Sequence, residues 1–195
     1  MDSLIGIKGK DFVLIASDMA SSSSVILIKD NEDKFYEIND QLILAYSGDQ
    51  GDCFRTCAFV AEKIKFDTLH NSITPTPKLV ANVMQRCVHE ALRKNPLKTG
   101  CLVAGKDEKE FSLYAMDIYG AIYSDKYASV GYSSYFTYGI LDQEYHSDLT
   151  QEEAINIIQK CVNVMKERFV LDLSKFMVKI VTNSGIETRT IVPTQ

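Results

Sequence analysis

Residues 41–64 read Gln-Leu-Ile-Leu-Ala-Tyr-Ser-Gly-Asp-Gln-Gly-Asp-Cys-Phe-Arg-Thr-Cys-Ala-Phe-Val-Ala-Glu-Lys-Ile. From Gln41 to Ser47 the run is short, apolar and bounded by polar breaks, as in a strand. Beyond Gly48 the period changes. Cys53, Cys57, Val60, Ala61, Ile64 and Thr68 recur at i, i+4, i+7, i+8, i+11 and i+15, which is one stripe of a helix opened by Ser-Gly-Asp-Gln-Gly-Asp. The chain therefore passes from strand to helix through one tight glycine turn.

Working outward from this junction, the N-terminal side is all strand. Leu4 to Lys8, Phe12 to Asp18, Val25 to Lys29 and Lys34 to Asn39 are separated by breaks at Lys10-Asp11, Ser21 to Ser24 and Asp30 to Asp33. On the C-terminal side a second helix starts at Thr76-Pro77, an N-cap with proline at the first helical position, and ends at Asn95-Pro96. Strands return at Cys101 to Gly105, Phe111 to Met116 and Ala121 to Ser124, and a short helix covers Ser134 to Asp142. Thr150-Gln-Glu-Glu153 is a capping box, followed by the buried stripe Ala154, Ile157, Ile158, Cys161, Val162 and Met165. Phe176 to Val181 and Glu187 to Val192 close the chain as a hairpin around Asn183-Ser-Gly185. The order predicts an α+β fold of four layers, αββα, in which two antiparallel sheets are flanked by helices.

At 195 residues the chain is expected to form one domain over 1–195, since a domain takes roughly 150 residues. Lys and Arg number 21 against 26 Asp and Glu, a formal net charge of −5 that is scattered rather than blocked, so no nucleic-acid partner is expected. The longest apolar runs are about five residues against the ~20 a membrane span needs, and no basic region precedes an apolar stretch at the start. No membrane partner or secretory route is expected. Five cysteines without framework spacing read as reduced thiols.

Sites of standard chemistry are not legible. His70, His89 and His146 lie far apart outside any metal-ligand spacing, so no metal or other cofactor is expected. Cys87 and His89, two residues apart on a helix, point about 200° away from each other and cannot form a dyad. Ser47-Gly-Asp-Gln-Gly51 lacks the Lys-Ser/Thr ending of a phosphate loop.

The Gly48 turn matches something else. A strand ending in Ser-Gly before an Asp at a helix start, an N-terminal strand with Gly6, a strand ending in Asp18, and Lys34 together resemble the proteasome beta-subunit family. The likeness runs from Asp2 to the final hairpin and includes Ser129 to Asp142. Within the family it is similar to members at the fourth position of the beta ring, which likewise begin Met-Asp without a long pro-segment. The resemblance implies the αββα sandwich of N-terminal nucleophile hydrolases, the same layering read from the element order. It also implies partners: other beta subunits in a seven-membered ring, the alpha-ring subunits and the opposite beta ring, in the cytoplasm and nucleus.

Active members of that family use an N-terminal Thr as nucleophile and base, an Asp and a Lys that tune its amine, a Gly N–H as oxyanion hole, and a further Ser and Asp. Carried over, these positions fall on Asp2, Asp18, Lys34, Gly48, Tyr132 and Leu171. A carboxylate at Asp2 is a weak nucleophile towards an amide and no Gly-Thr junction precedes it, so the resemblance implies a catalytically inert subunit. Trimming to Ser3 does not rescue the site, because strand alternation turns Ser3 away from Lys34 and Gly48. Asp18 and Lys34 are then expected as a partly buried ion pair. Asp2 either pairs with Lys34 within about 4 Å, with Met1 plugging the old cleft, or frays into solvent as chain ends do.

Overall fold

The computed structural model describes residues 2–23, 26–108, 110–169 and 173–194. The strands and helices are, in chain order, β1 (Ser3–Lys8), β2 (Phe12–Asp18), β3 (Ser21–Ser23), β4 (Ile26–Lys29), β5 (Phe35–Asn39), β6 (Leu42–Gly48), α1 (Gln50–Asn71), α2 (Pro77–Leu92), β7 (Thr99–Lys106), β8 (Phe111–Met116), β9 (Ile122–Ser124), β10 (Tyr127–Gly131), α3 (Ser134–Glu144), α4 (Gln151–Arg168), β11 (Phe176–Thr182) and β12 (Gly185–Ile191).

Two antiparallel five-stranded sheets face each other, one ordered β10-β1-β2-β11-β12 and the other β5-β6-β7-β8-β9. Leu4, Val13, Ile15, Ile43, Ala45, Leu102, Ala104 and Leu113 fill the space between them. The alternate residues of the same strands pack outward: Ile5, Leu14 and Val178 meet Ile157, Ile158 and Cys161 of α4, while Leu44, Cys101 and Val103 meet Cys57, Val60 and Met84 of α1 and α2. The chain is thus an α+β four-layer αββα sandwich. Because both faces of each central strand are covered, β2 reads as a continuous apolar run, Phe12 to Ala16, instead of alternating.

Local chemistry sets the helix ends. Asp49 caps α1 by accepting from the Gly51 and Asp52 amides, and Thr76 caps α2 from the Leu79 amide with Pro77 at the first position. The Thr150–Glu153 box caps α4 in both directions. Helix α2 stops three residues before Asn95 because the amides of Lys94 and Asn95 both turn back to the Ala91 carbonyl, tightening the last turn.

Two segments depart from the sequence reading. Ser21–Ser23, expected as a break, pairs with β4 as a separate two-stranded ribbon, on which Ile26, Leu27 and Ile28 are 67%, 50% and 67% exposed. Tyr127–Gly131, which carries too short and mixed a pattern to stand out, is the edge strand β10 paired along β1 from Ser3↔Gly131 to Ile7↔Tyr127. The closing hairpin is also tighter than expected, with β12 beginning at Gly185 opposite Thr182.

Candidate functional site

The open end of the sandwich is where the ends of several strands converge. Asp2 precedes β1 with the parity of Leu4, which faces the second sheet; Asp18 ends β2; Lys34 leads into β5; and Gly48 ends β6. Asp2 and Asp18 therefore approach from one sheet, Lys34 and Gly48 from the other.

The four form a connected polar cluster. Lys34 Nζ lies 2.7 Å from Asp2 Oδ1 and 2.7 Å from Asp18 Oδ2. The Gly48 amide donates to Asp2 Oδ2 at 2.8 Å. Asp18 also accepts from the Ser3 amide at 2.7 Å and from the Ala20 amide at 3.2 Å. Lys34 and Asp18 are 1% and 0% exposed and Asp2 is 8% exposed, so the expected partly buried pair is a fully buried one with a second carboxylate added. The difference follows from coverage on both sides, because each residue sits where one sheet roofs the other. Asp2 turns inward onto Lys34 and Gly48; Met1, expected to plug the cleft, lies outside the described residues.

Two carboxylates against one ammonium leave a formal charge of −1, which the three backbone amides stabilise by charge-assisted hydrogen bonds. Burial alone would lower the Lys34 pKa, but Asp18 and then Asp2 more than offset it, holding the ammonium above the ordinary lysine value. Burial pushes the Asp18 carboxyl up, against the opposing pull of Lys34.

Two glycines permit this arrangement. Gly48 has φ +145°, and a Cβ there would overlap the Lys98 carbonyl oxygen. Gly131, at φ +83°, lies so close to the chain start that a Cβ would overlap the Asp2 carbonyl oxygen. That carbonyl accepts from the Tyr132 amide at 3.1 Å. Tyr132 thus serves the site through its backbone, while its half-exposed ring meets Phe169 edge-on at 5.9 Å. Leu171 lies outside the described residues. Sequence reasoning missed Gly131, because no local pattern announces that the Asp2 carbonyl will lie against it.

Among the described residues the Lys34 ammonium hydrogen-bonds to the two carboxylates and to no hydroxyl or thiol. Ser3 Oγ is buried on the opposite face and, among the described residues, without a hydrogen-bond partner. Ser129 and Ser133 Oγ lie 2.8 Å apart and each lies within 3.1 Å of the Leu4 carbonyl oxygen, so one hydroxyl donates to that carbonyl and the other to its neighbour or to the carbonyl, tying the start of α3 to β1. The cysteines are free thiols, and burial pushes Cys53, Cys101 and Cys161 up to about 12. Among the described residues no three His, Cys, Asp or Glu side chains could hold a metal ion, and no helix is long and apolar enough to cross a membrane.

Comparison with known proteins is consistent along the chain. The sequence model of a family described as "Proteasome subunit" matches residues 2–181. The chain is 46% identical over 193 residues to "Probable proteasome subunit beta type-4" of Encephalitozoon cuniculi, covering 99% of this chain and 98% of that relative. It is 33% identical over 186 residues to "Proteasome subunit beta type-2-A" of Arabidopsis thaliana, covering 95% and 91%. It is 27% identical over 189 residues to "Proteasome subunit beta type-4" of Saccharomyces cerevisiae, covering 95% and 96%.

Proposed function

Since the chain belongs to the proteasome subunit family and is similar along its length to beta-type members, we propose that it is a non-catalytic beta subunit of the 20S core particle, at the fourth position of the beta ring. Its work is to complete a seven-membered ring, contact the alpha ring and the opposite beta ring, and help enclose the chamber in which other beta subunits hydrolyse proteins, in the cytoplasm and nucleus.

One observation carries the inert reading. The Asp2 carboxylate, on which the family resemblance places the nucleophile position, is bound on both oxygens, by Lys34 and by the Gly48 amide. Hydroxyl attack at a carbonyl needs a nucleophile, a base and a free oxyanion donor. Here the hydroxyl is absent and the donor is engaged. The assembly reading draws support from exposed apolar surface: Phe59, Phe66 and Leu69 on α1, and Ile26, Leu27 and Ile28 on the ribbon, stand in water in the lone chain.

Two measurements test this. Intact-mass spectrometry after treatment with an electrophile directed at N-terminal threonine should find no adduct on this chain, and an adduct at residue 2 or 3 overturns the inert reading. The native mass of the particle that co-purifies with the chain should be several hundred kilodaltons, and a monomer mass overturns the ring.

A further inference from the structure

We propose that the Lys34 ammonium and the Gly48 amide form a carboxylate-binding site that the chain keeps filled with its own Asp2. The inference rests on the inert-subunit reading and deepens it: the anion-binding part of the old site is retained and occupied from within.

The geometry is that of a ligand in a site. Each Asp2 oxygen takes a different donor, Nζ of Lys34 at 2.7 Å and N of Gly48 at 2.8 Å, the first just ahead of β5 and the second at the end of β6. The donor set is fixed without Asp2. Lys34 is anchored by Asp18, whose other oxygen is tied to the Ser3 amide, and the Gly48 amide is aimed by a backbone conformation that only glycine adopts freely. Removing the Asp2 side chain therefore leaves donors in place with nothing between them. Gly48 is solvent-exposed, so solutes can reach the vacated position.

Charge sets the ligand class. With Asp2 absent, Lys34 and Asp18 sum to zero; a monocarboxylate restores the formal charge of the native cluster, whereas phosphate or sulfate would add further uncompensated charge to a buried place. Chloride supplies one acceptor atom where Asp2 supplies two, one oxygen to each donor, so it cannot reproduce both short contacts. Because Asp2 is covalently held at the site, its effective concentration excludes free carboxylates from the native chain.

The test uses the full-length chain. Asp2→Ala should unfold at lower temperature than the wild type. Acetate and formate should raise its midpoint by several degrees in a saturable manner, as a ligand that binds only the folded state does. Acetamide, and chloride at equal ionic strength, should not. The wild type and the Asp2→Ala, Lys34→Met double variant should show no acetate-specific shift. Should Asp2→Ala fail to fold in chloride, its refolding yield in acetate against acetamide reads the same question. An acetate effect that is absent, equal in the wild type, or retained without Lys34 overturns the proposal. None of these failures touches the inert reading, which fails only through an adduct on the wild-type chain.

Discussion

Lys179 on β11 reaches across the sandwich to Glu37 on β5, its Nζ 2.7 Å from Oε1, with the Phe35 ring 5.1 Å beneath the ammonium. Lys179 is nearly buried and Glu37 half-exposed, and β5 is the strand that begins beside Lys34. A second ion pair thus joins the two sheets close to the polar cluster. Lys179→Met keeps the apolar stem over Phe35 and should cost only about 1–2 kcal/mol, since the abandoned Glu37 turns to water. Urea unfolding measures it; a larger loss would mean that Glu37 is not solvated.

Lys34 is the costlier cation to lose. Lys34→Met strands two buried carboxylates, and removing one partner of a buried pair costs about 3–5 kcal/mol. Equilibrium unfolding of the variant should show this drop, and a loss under 1 kcal/mol would contradict the dry cluster.

The same lysine predicts alkaline behaviour. Its folded pKa lies above its unfolded one, so its stabilisation is fully present below about pH 10.4, the ordinary lysine value, and is lost only as pH rises through the higher folded value. The difference in unfolding free energy between wild type and Lys34→Met should stay level from neutral pH to that point and shrink above it. Shrinkage already near pH 8 would reverse the assignment.

Thiol chemistry should be quiet. Cys53, Cys101 and Cys161 are buried and pushed up to about 12, whereas Cys87 on α2 is only half-buried, at the margin of the core beneath α1 and α2. Iodoacetamide at neutral pH, read by intact mass, should add at most one label to the folded chain and five after denaturation. Fast labelling of Cys53 or Cys101 would contradict the packing.

A chain beginning with Thr in place of Asp2 should still hydrolyse no fluorogenic peptide above background. Asp18, Lys34 and Gly48 would be in place, but Tyr132 puts a phenol at the end of a half-exposed ring where the active pattern has a serine hydroxyl, and Leu171 has no carboxylate. It should also melt below the wild type, having lost both Asp2 contacts. Turnover would show that these two positions are dispensable.

What the sequence made legible followed from patterns local to a strand or helix. Apolar runs and capping residues gave the central strands and α4, and strand parity was enough to put Asp2, not Ser3, on the side of Lys34. Contacts made across the sandwich were not legible. Ser21–Ser23 has turn composition and becomes a strand only because β4 returns beside it. The burial of Asp18 depends on the opposing sheet, and Gly131 is required only because the Asp2 carbonyl lies against it.

The β3–β4 ribbon has its own consequence for supply. All four residues of β4 are exposed, three of them large aliphatics, and the strand has a single pairing partner among the described residues. An uncovered apolar strand edge is adhesive towards any other strand, including another copy of itself. Copies of the lone chain at high concentration should therefore stick to one another through this edge, and light scattering should rise with concentration unless the ribbon is covered.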